Sequence, residues 1–202
     1  MNEHIQIALF FPERIIYDPT RVANAFLEKL PELKQPIILP FDIGPNQEGS
    51  GIPVVVFDQS SDIKLTLTFN NFVLTLFNDK RKEKKEIIKK IFNVINVFQL
   101  NFSRIGYVNN TLMPESDVLK FKSDKFKDPE IIKAEEFQLG WYNKITIDEL
   151  TVNFWQRFNT NKSISNNVFV SYDLNTLIEN IHEVDYKFAI NFINNVDNWL
   201  SK

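Results

Sequence analysis

Residues 63–76 read IKLTLTFNNFVLTL, two alternating runs that meet at a pair of asparagines. Ile63, Leu65, Leu67 and Phe69 alternate with Lys64, Thr66 and Thr68, the period of two that gives a strand one apolar face; Phe72, Leu74 and Leu76 resume it. Asparagine tolerates the left-handed backbone of tight hairpins, so Asn70-Asn71 predicts a turn between two strands. A parallel crossover needs a dozen residues or more, and none fits here. The two strands pair antiparallel, which decides the class of the fold.

The same reading extends in both directions. Upstream, Ile5–Phe11 predicts a strand, and after Pro12 and Pro19 the residues Val22, Phe26, Leu27 and Leu30 recur at helical spacing, opened by Thr20 as N-cap and closed before Pro31. Pro36–Phe41 and Pro53–Phe57 read as extended segments around the loop DIGPNQEGSG. Downstream, an amphipathic helix runs from about Asp79 to Gln99, followed by the extended run NFSRIGYVNNTL and by PESDVLKFKSDKFKDPE, a polar connection or short helix. Phe137, Leu139 and Trp141 alternate with polar neighbours, and Leu150–Phe158 and Val168–Tyr172 complete a second antiparallel set. Phe188, Phe192, Val196 and Trp199 then mark a last helix, capped by Asp185. Strands followed by a helix thus occur twice. The expected fold is α+β, antiparallel sheet or sheets with helices on one face, within one domain, 1–202. Two similar halves, 1–113 and 130–202, joined by the polar segment 114–129, are compatible with this order.

Composition narrows the class. A chain of 202 residues, 44% hydrophobic and with 19 phenylalanines, can bury a substantial core. The absence of cysteine removes disulfides, thiolate catalysis and cysteine-ligated zinc. MNEHIQIALFFPERIIY lacks the basic leader and cleavage pattern of a signal peptide, and no run of apolar residues is long enough for a membrane span, so the expected compartment is the cytoplasm. The N-x-S/T matches at Asn101, Asn109 and Asn161 then have no secretory context. Abundant Asn, Lys, Ile and Phe beside five Gly fit an A+T-rich genome, such as that of a low-GC bacterium or its phage.

Charge is the anomaly. Lys80, Arg81, Lys82, Lys84, Lys85, Lys89 and Lys90 against Glu83 and Glu86 make a local +5, leaving −8 for the rest of a chain whose total is −3. Lysines at a helix start oppose the macrodipole by roughly 0.3–1 kcal/mol each at low salt. One reading is a solvated helix face. The other is a basic patch, Lys80, Arg81, Lys82, Lys84, Lys85 and Lys89, that meets an acidic protein surface, a second copy of the chain or nucleic acid.

Chemistry-bearing motifs are few. GPNQEGSG (44–51) has the glycine spacing of a phosphate loop, but Ser50 stands where the lysine belongs and a strand follows where a helix should. His4 and His182 are the two histidines, and neither sits in a metal-binding pattern. The acidic pairs Asp148-Glu149, Glu135-Glu136 and Glu179 with Glu183 could serve metal-assisted phosphoryl chemistry or glycoside hydrolysis; Asp148-Glu149 most simply makes a turn or bulge between Ile147 and Leu150. No cofactor motif occurs. Trp141, Tyr142, Phe154, Trp155 and Phe158 cluster on two neighbouring strands, either as cross-strand core or as a surface that stacks a ligand. Alternation separates them: Leu150, Val152 and Phe154 share one face, leaving Trp155 with Asn153 and Arg157 on the polar one.

Arg104-Ile105-Gly106-Tyr107-Val108-Asn109 resembles the R-I-G-x-x-x-x-N signature of a sporadically distributed, functionally uncharacterised bacterial family with a similar order of strands and helices. The asparagine arrives one or two positions early, and the proline-rich opening of that family has no counterpart. The resemblance implies no activity. Read from the residues, Arg104 pairs with a carboxylate on a neighbouring strand and Gly106 marks a bulge or a close backbone approach. The expected function is a non-enzymatic interaction module of inhibitor, immunity or accessory type, using the basic helix start and a sheet face with Trp155, Arg157 and Arg104. Nucleic-acid binding through residues 80–90 is the first alternative, and a metal-dependent enzyme built on Asp148 and Glu149 the second.

Overall fold

The computed structural model describes residues 3–15, 17–34, 36–38, 55–125, 138–160, 168–179 and 183–201. Nine strands, β1 (His4–Phe10), β2 (Pro36–Ile38), β3 (Val55–Ser61), β4 (Ile63–Leu67), β5 (Asn71–Phe77), β6 (Arg104–Leu112), β7 (Gln138–Ile147), β8 (Leu150–Thr160) and β9 (Val168–Thr176), form a single sheet. Its order is β2-β3-β4-β5-β1-β6-β9-β8-β7, and every pairing is antiparallel. The described helices are α1 (Pro19–Lys29), α2 (Lys84–Val97), α3 (Glu115–Lys125) and α4 (Tyr186–Leu200). The α+β class and the antiparallel sheet are as the alternating runs require.

Register assigns the faces. Ile7 lies beside Leu74 and Tyr107, Tyr107 beside Leu174, and Leu174 beside Phe154. This face carries the main core with Val22 and Phe26 of α1, Ile88 and Phe92 of α2, and Phe192 and Val196 of α4. Farther along β7–β9 the same face meets α3, where Val118 packs with Phe158, Val168 and Val170 and the Phe121 ring stacks on Phe158 at 4.3 Å. The helices therefore cover one face. The other face carries Trp155, Asp173, Val108 and Gln6 in one row across four strands.

The described elements repeat one order, with the boundary between the halves before β6 rather than after residue 113. A strand, a helix, a meander and a second helix are β1, α1, β2–β5 and α2, then β6, α3, β7–β9 and α4. In each, the opening strand lies beside the last strand of the meander, and β1 and β6 meet at the centre. Even the register repeats: Ile7 opposes Leu74, and Tyr107 opposes Leu174.

Local details depart from expectation where side chains replace backbone conformation. Asn70-Asn71 is no left-handed turn, since positive φ occurs among described non-glycine residues at Asn78, Gln99, Asp148 and Glu149. The Thr68 hydroxyl instead accepts the backbone N–H groups of Asn70 (3.0 Å) and Asn71 (2.9 Å). The N-cap of α1 is Asp18, not Thr20: its carboxylate accepts the N–H of Thr20 at 2.9 Å and of Arg21 at 3.2 Å, with Pro19 opening the helix. Asp185 caps α4 as expected, accepting the Phe188 N–H at 2.7 Å. α2 begins at Lys84, with residues 78–81 in a separate 3₁₀ turn. The glycine-rich loop at 44–51, Glu135-Glu136 and His182 lie outside the described residues.

Candidate functional site

The basic cluster is built into the molecule. Lys80 reaches Glu83 (2.6 Å), Arg81 reaches Glu3 (3.2 Å), Lys82 reaches Asp79 (2.9 Å), Lys84 reaches Asp197 (2.5 Å) and Lys90 reaches Glu32 (3.6 Å). Only Lys85 and Lys89 have no ion-pair partner among the described residues, and they lie one turn apart on the exposed side of α2. Of the six residues expected to face a partner, Lys80, Arg81, Lys82 and Lys84 are thus ion-paired within the chain, and Lys85 and Lys89 are not. The early start of the 3₁₀ turn also takes Lys80, Arg81 and Lys82 away from the α2 terminus, where the macrodipole would oppose them.

Lys84 belongs to the interior. Its ammonium lies over the Tyr107 ring at 5.6 Å, and the fully buried Tyr107 hydroxyl donates to Asp197 at 2.7 Å. Burial first, and then the Asp197 carboxylate, raise the Tyr107 pKa well above the ordinary phenol value. These three side chains join α2, β6 and α4 at one side of an open cleft of about 440 Å³ that Arg81, Asn109 and Thr111 also line. Its charges are already matched.

The face of the sheet opposite the described helices holds the second candidate. Tyr142, Trp155 and Asp173 stand side by side on β7, β8 and β9. The Tyr142 and Trp155 rings are 4.9 Å apart, and the Arg157 guanidinium lies 5.2 Å from the Trp155 ring. Trp155 and Tyr142 remain 39% and 42% exposed, large values for aromatic side chains within a sheet. Polar neighbours fix them: Tyr142 donates to Asn153 Oδ1 at 2.5 Å, while Asp173 accepts from Asn175 at 2.5 Å and from Arg157 at 3.5 Å.

Arg104 shares this face but not this cluster. Its Nε donates to the Thr176 carbonyl at 3.3 Å, where a strand carboxylate was expected, and its guanidinium covers the Phe10 ring at 4.9 Å; burial lowers its pKa, partly offset by Glu179. Gly106 lies between, and a Cβ there would collide with the Asn175 carboxamide oxygen. The glycine thus serves a close approach, with no bulge in the β1–β6 or β6–β9 register. Tyr142 and Asp173 were not singled out as partners of Trp155 from sequence; pairing Ile147 with Leu150 across a two-residue turn would have set Tyr142 opposite Trp155.

Asp148 and Glu149 form that turn, at φ 47° and 68°, a two-residue reversal of type I′. Asp148 accepts from Asn195 Nδ2 at 2.8 Å. Among the described residues no group of three or more His, Asp or Glu is placed to hold a metal ion, and no helix is long and apolar enough to cross a membrane. The chain matches no protein-family model and no curated protein.

Proposed function

We propose that this protein is a non-enzymatic interaction module, of inhibitor, immunity or accessory type, that binds an acidic protein surface through the face of its sheet opposite the described helices. The observation that carries the reading is the exposed Tyr142–Trp155–Arg157 ladder, because aromatic and arginine side chains held in place lose little entropy on binding and dominate interfaces. Lys85 and Lys89 lie on α2, across the sheet from this ladder, and the other members of the basic cluster are matched by the chain's own carboxylates. The test is a quantitative pull-down with the whole chain, comparing Trp155→Ala and Arg157→Glu with Lys82→Glu. The first two should lose the captured partner and the third retain it; an unchanged partner set in Trp155→Ala sinks the assignment.

A second reading draws on two Arg–aromatic pairs on one sheet face, Arg157 with Trp155 and Arg104 with Phe10, an arrangement that also suits stacking of single-stranded bases. It requires binding of an oligonucleotide to weaken steeply between about 50 and 200 mM salt as counterions are released. Salt-independent binding, or none, excludes it.

A further inference from the structure

The two edges of the sheet are built differently. β2 is three residues long and begins with Pro36, which has no N–H to offer, a common defence against strand addition. β7 is ten residues long, QLGWYNKITI, contains no proline and carries Lys144 as its one charge. Among the described residues nothing pairs with its outer side. Because Ile147 and Leu150 flank a two-residue turn, they form a hydrogen-bonded pair, and alternation along the ladder follows from that. Asn143, like Ile145 and Trp141, turns its backbone groups toward β8. Gly140, Tyr142, Lys144 and Thr146 turn theirs outward.

β7 is also complementary to itself. Trp141 and Ile145 lie two residues to either side of Asn143, and Leu139 and Ile147 four residues to either side, all on the helix-bearing face. A second β7 laid antiparallel, with a two-fold axis at Asn143, sets Trp141 against Ile145 and Leu139 against Ile147 of the other copy. On the opposite face Tyr142 meets Lys144 and Gly140 meets Thr146, so no like charges oppose each other. The outward backbone groups then satisfy one another through about eight hydrogen bonds. We propose that this edge is the interface of a homodimer, in which two nine-stranded sheets join through β7 into one continuous sheet. The pairing carries the Trp155–Tyr142 row across the axis, yet does not depend on the partner proposed above.

Sedimentation equilibrium on the whole chain tests it. Lys144→Pro removes an outward N–H while leaving the ladder to β8 untouched, and should give a monomer. Asn143 is exposed and faces its own copy across the axis, so Asn143→Asp and Asn143→Lys each oppose like charges and should weaken dimerisation by about fivefold or more. Mixing these two variants should restore the dimer as a heterodimer, an outcome that no other interface produces. A parent chain that is monomeric throughout the micromolar range overturns the proposal. So does a dimer indifferent to both Asn143 variants, and this arm stands even if Lys144→Pro fails to fold.

Discussion

Lys82 and Lys84 stand two residues apart and do different things. The Lys82–Asp79 pair is exposed on both sides, at 83% and 89%, where solvent and side-chain entropy cancel most of the attraction. Lys82→Ala should leave the urea midpoint unchanged. Lys84 is 14% exposed and holds Asp197 against the Tyr107 hydroxyl, so Lys84→Ala should cost about 1–3 kcal/mol in the same titration. Tyr107 adds a pH dependence with a definite sign. Its folded-state pKa is raised, mainly by burial, as is that of Tyr17, whose hydroxyl donates to the Thr68 carbonyl at 2.9 Å. A raised phenol contributes stability that is fully present below the unfolded-state value of about 10 and is lost as pH climbs above it. Stability measured from pH 8 to pH 11 should therefore fall at the alkaline end, and Tyr107→Phe should flatten that fall while lowering stability at neutral pH. The basic cluster was unreadable at this scale for a physical reason. Arg81, Lys84 and Lys90 find their carboxylates at Glu3, Asp197 and Glu32, and no local pattern announces such distant pairs.

At the scale of elements, the turns were the hardest features to read because two kinds of chemistry can close a hairpin. Asn70-Asn71 carries residues suited to positive φ, yet the Thr68 hydroxyl closes that reversal from the side. Asp148-Glu149 lacks glycine, yet adopts the left-handed backbone at both positions. A non-glycine residue there carries a steric penalty, so Glu149→Gly should raise unfolding stability by about 1 kcal/mol. A loss of stability would mean that the Glu149 side chain makes a contact that outweighs its backbone strain. The strands themselves were legible. Period-two alternation at Ile63–Leu67 and Leu150–Phe158 put the correct residues inward, and it also placed Trp155 with Arg157 on the outer face. What alternation could not supply was the neighbour across the strand, which is why the direct pairing of Tyr142 with Trp155, and Asp173 as its other neighbour, emerged only with the register.

At the scale of the molecule, the strands-then-helix order was legible twice over, but not the insertion of β1 and β6 side by side at the centre. That placement depends on pairing over long sequence separations, His4 with Phe77 and Gly106 with Asn175, which no window of sequence contains. It also decides how the two halves depend on each other. Seven residue pairs join β1 to β6 without interruption. One apolar core runs from Phe26 and Phe57 in the first half to Phe154 and Leu174 in the second. The Phe92 and Tyr186 rings meet at 6.1 Å, Lys84 reaches Asp197, and the Val184 N–H donates to the Phe102 carbonyl at 3.0 Å. Exposing either half would leave the apolar face of its central strand open along the seam. The halves should therefore unfold together, and the placement of tryptophan makes this measurable. Trp141, Trp155 and Trp199 all lie in the second half, so tryptophan fluorescence follows that half alone, while far-UV circular dichroism follows both. In urea the two signals should trace one transition with a common midpoint and slope. A circular-dichroism midpoint displaced from the fluorescence midpoint would show instead that the seam between β1 and β6 is weaker than the core on either side of it.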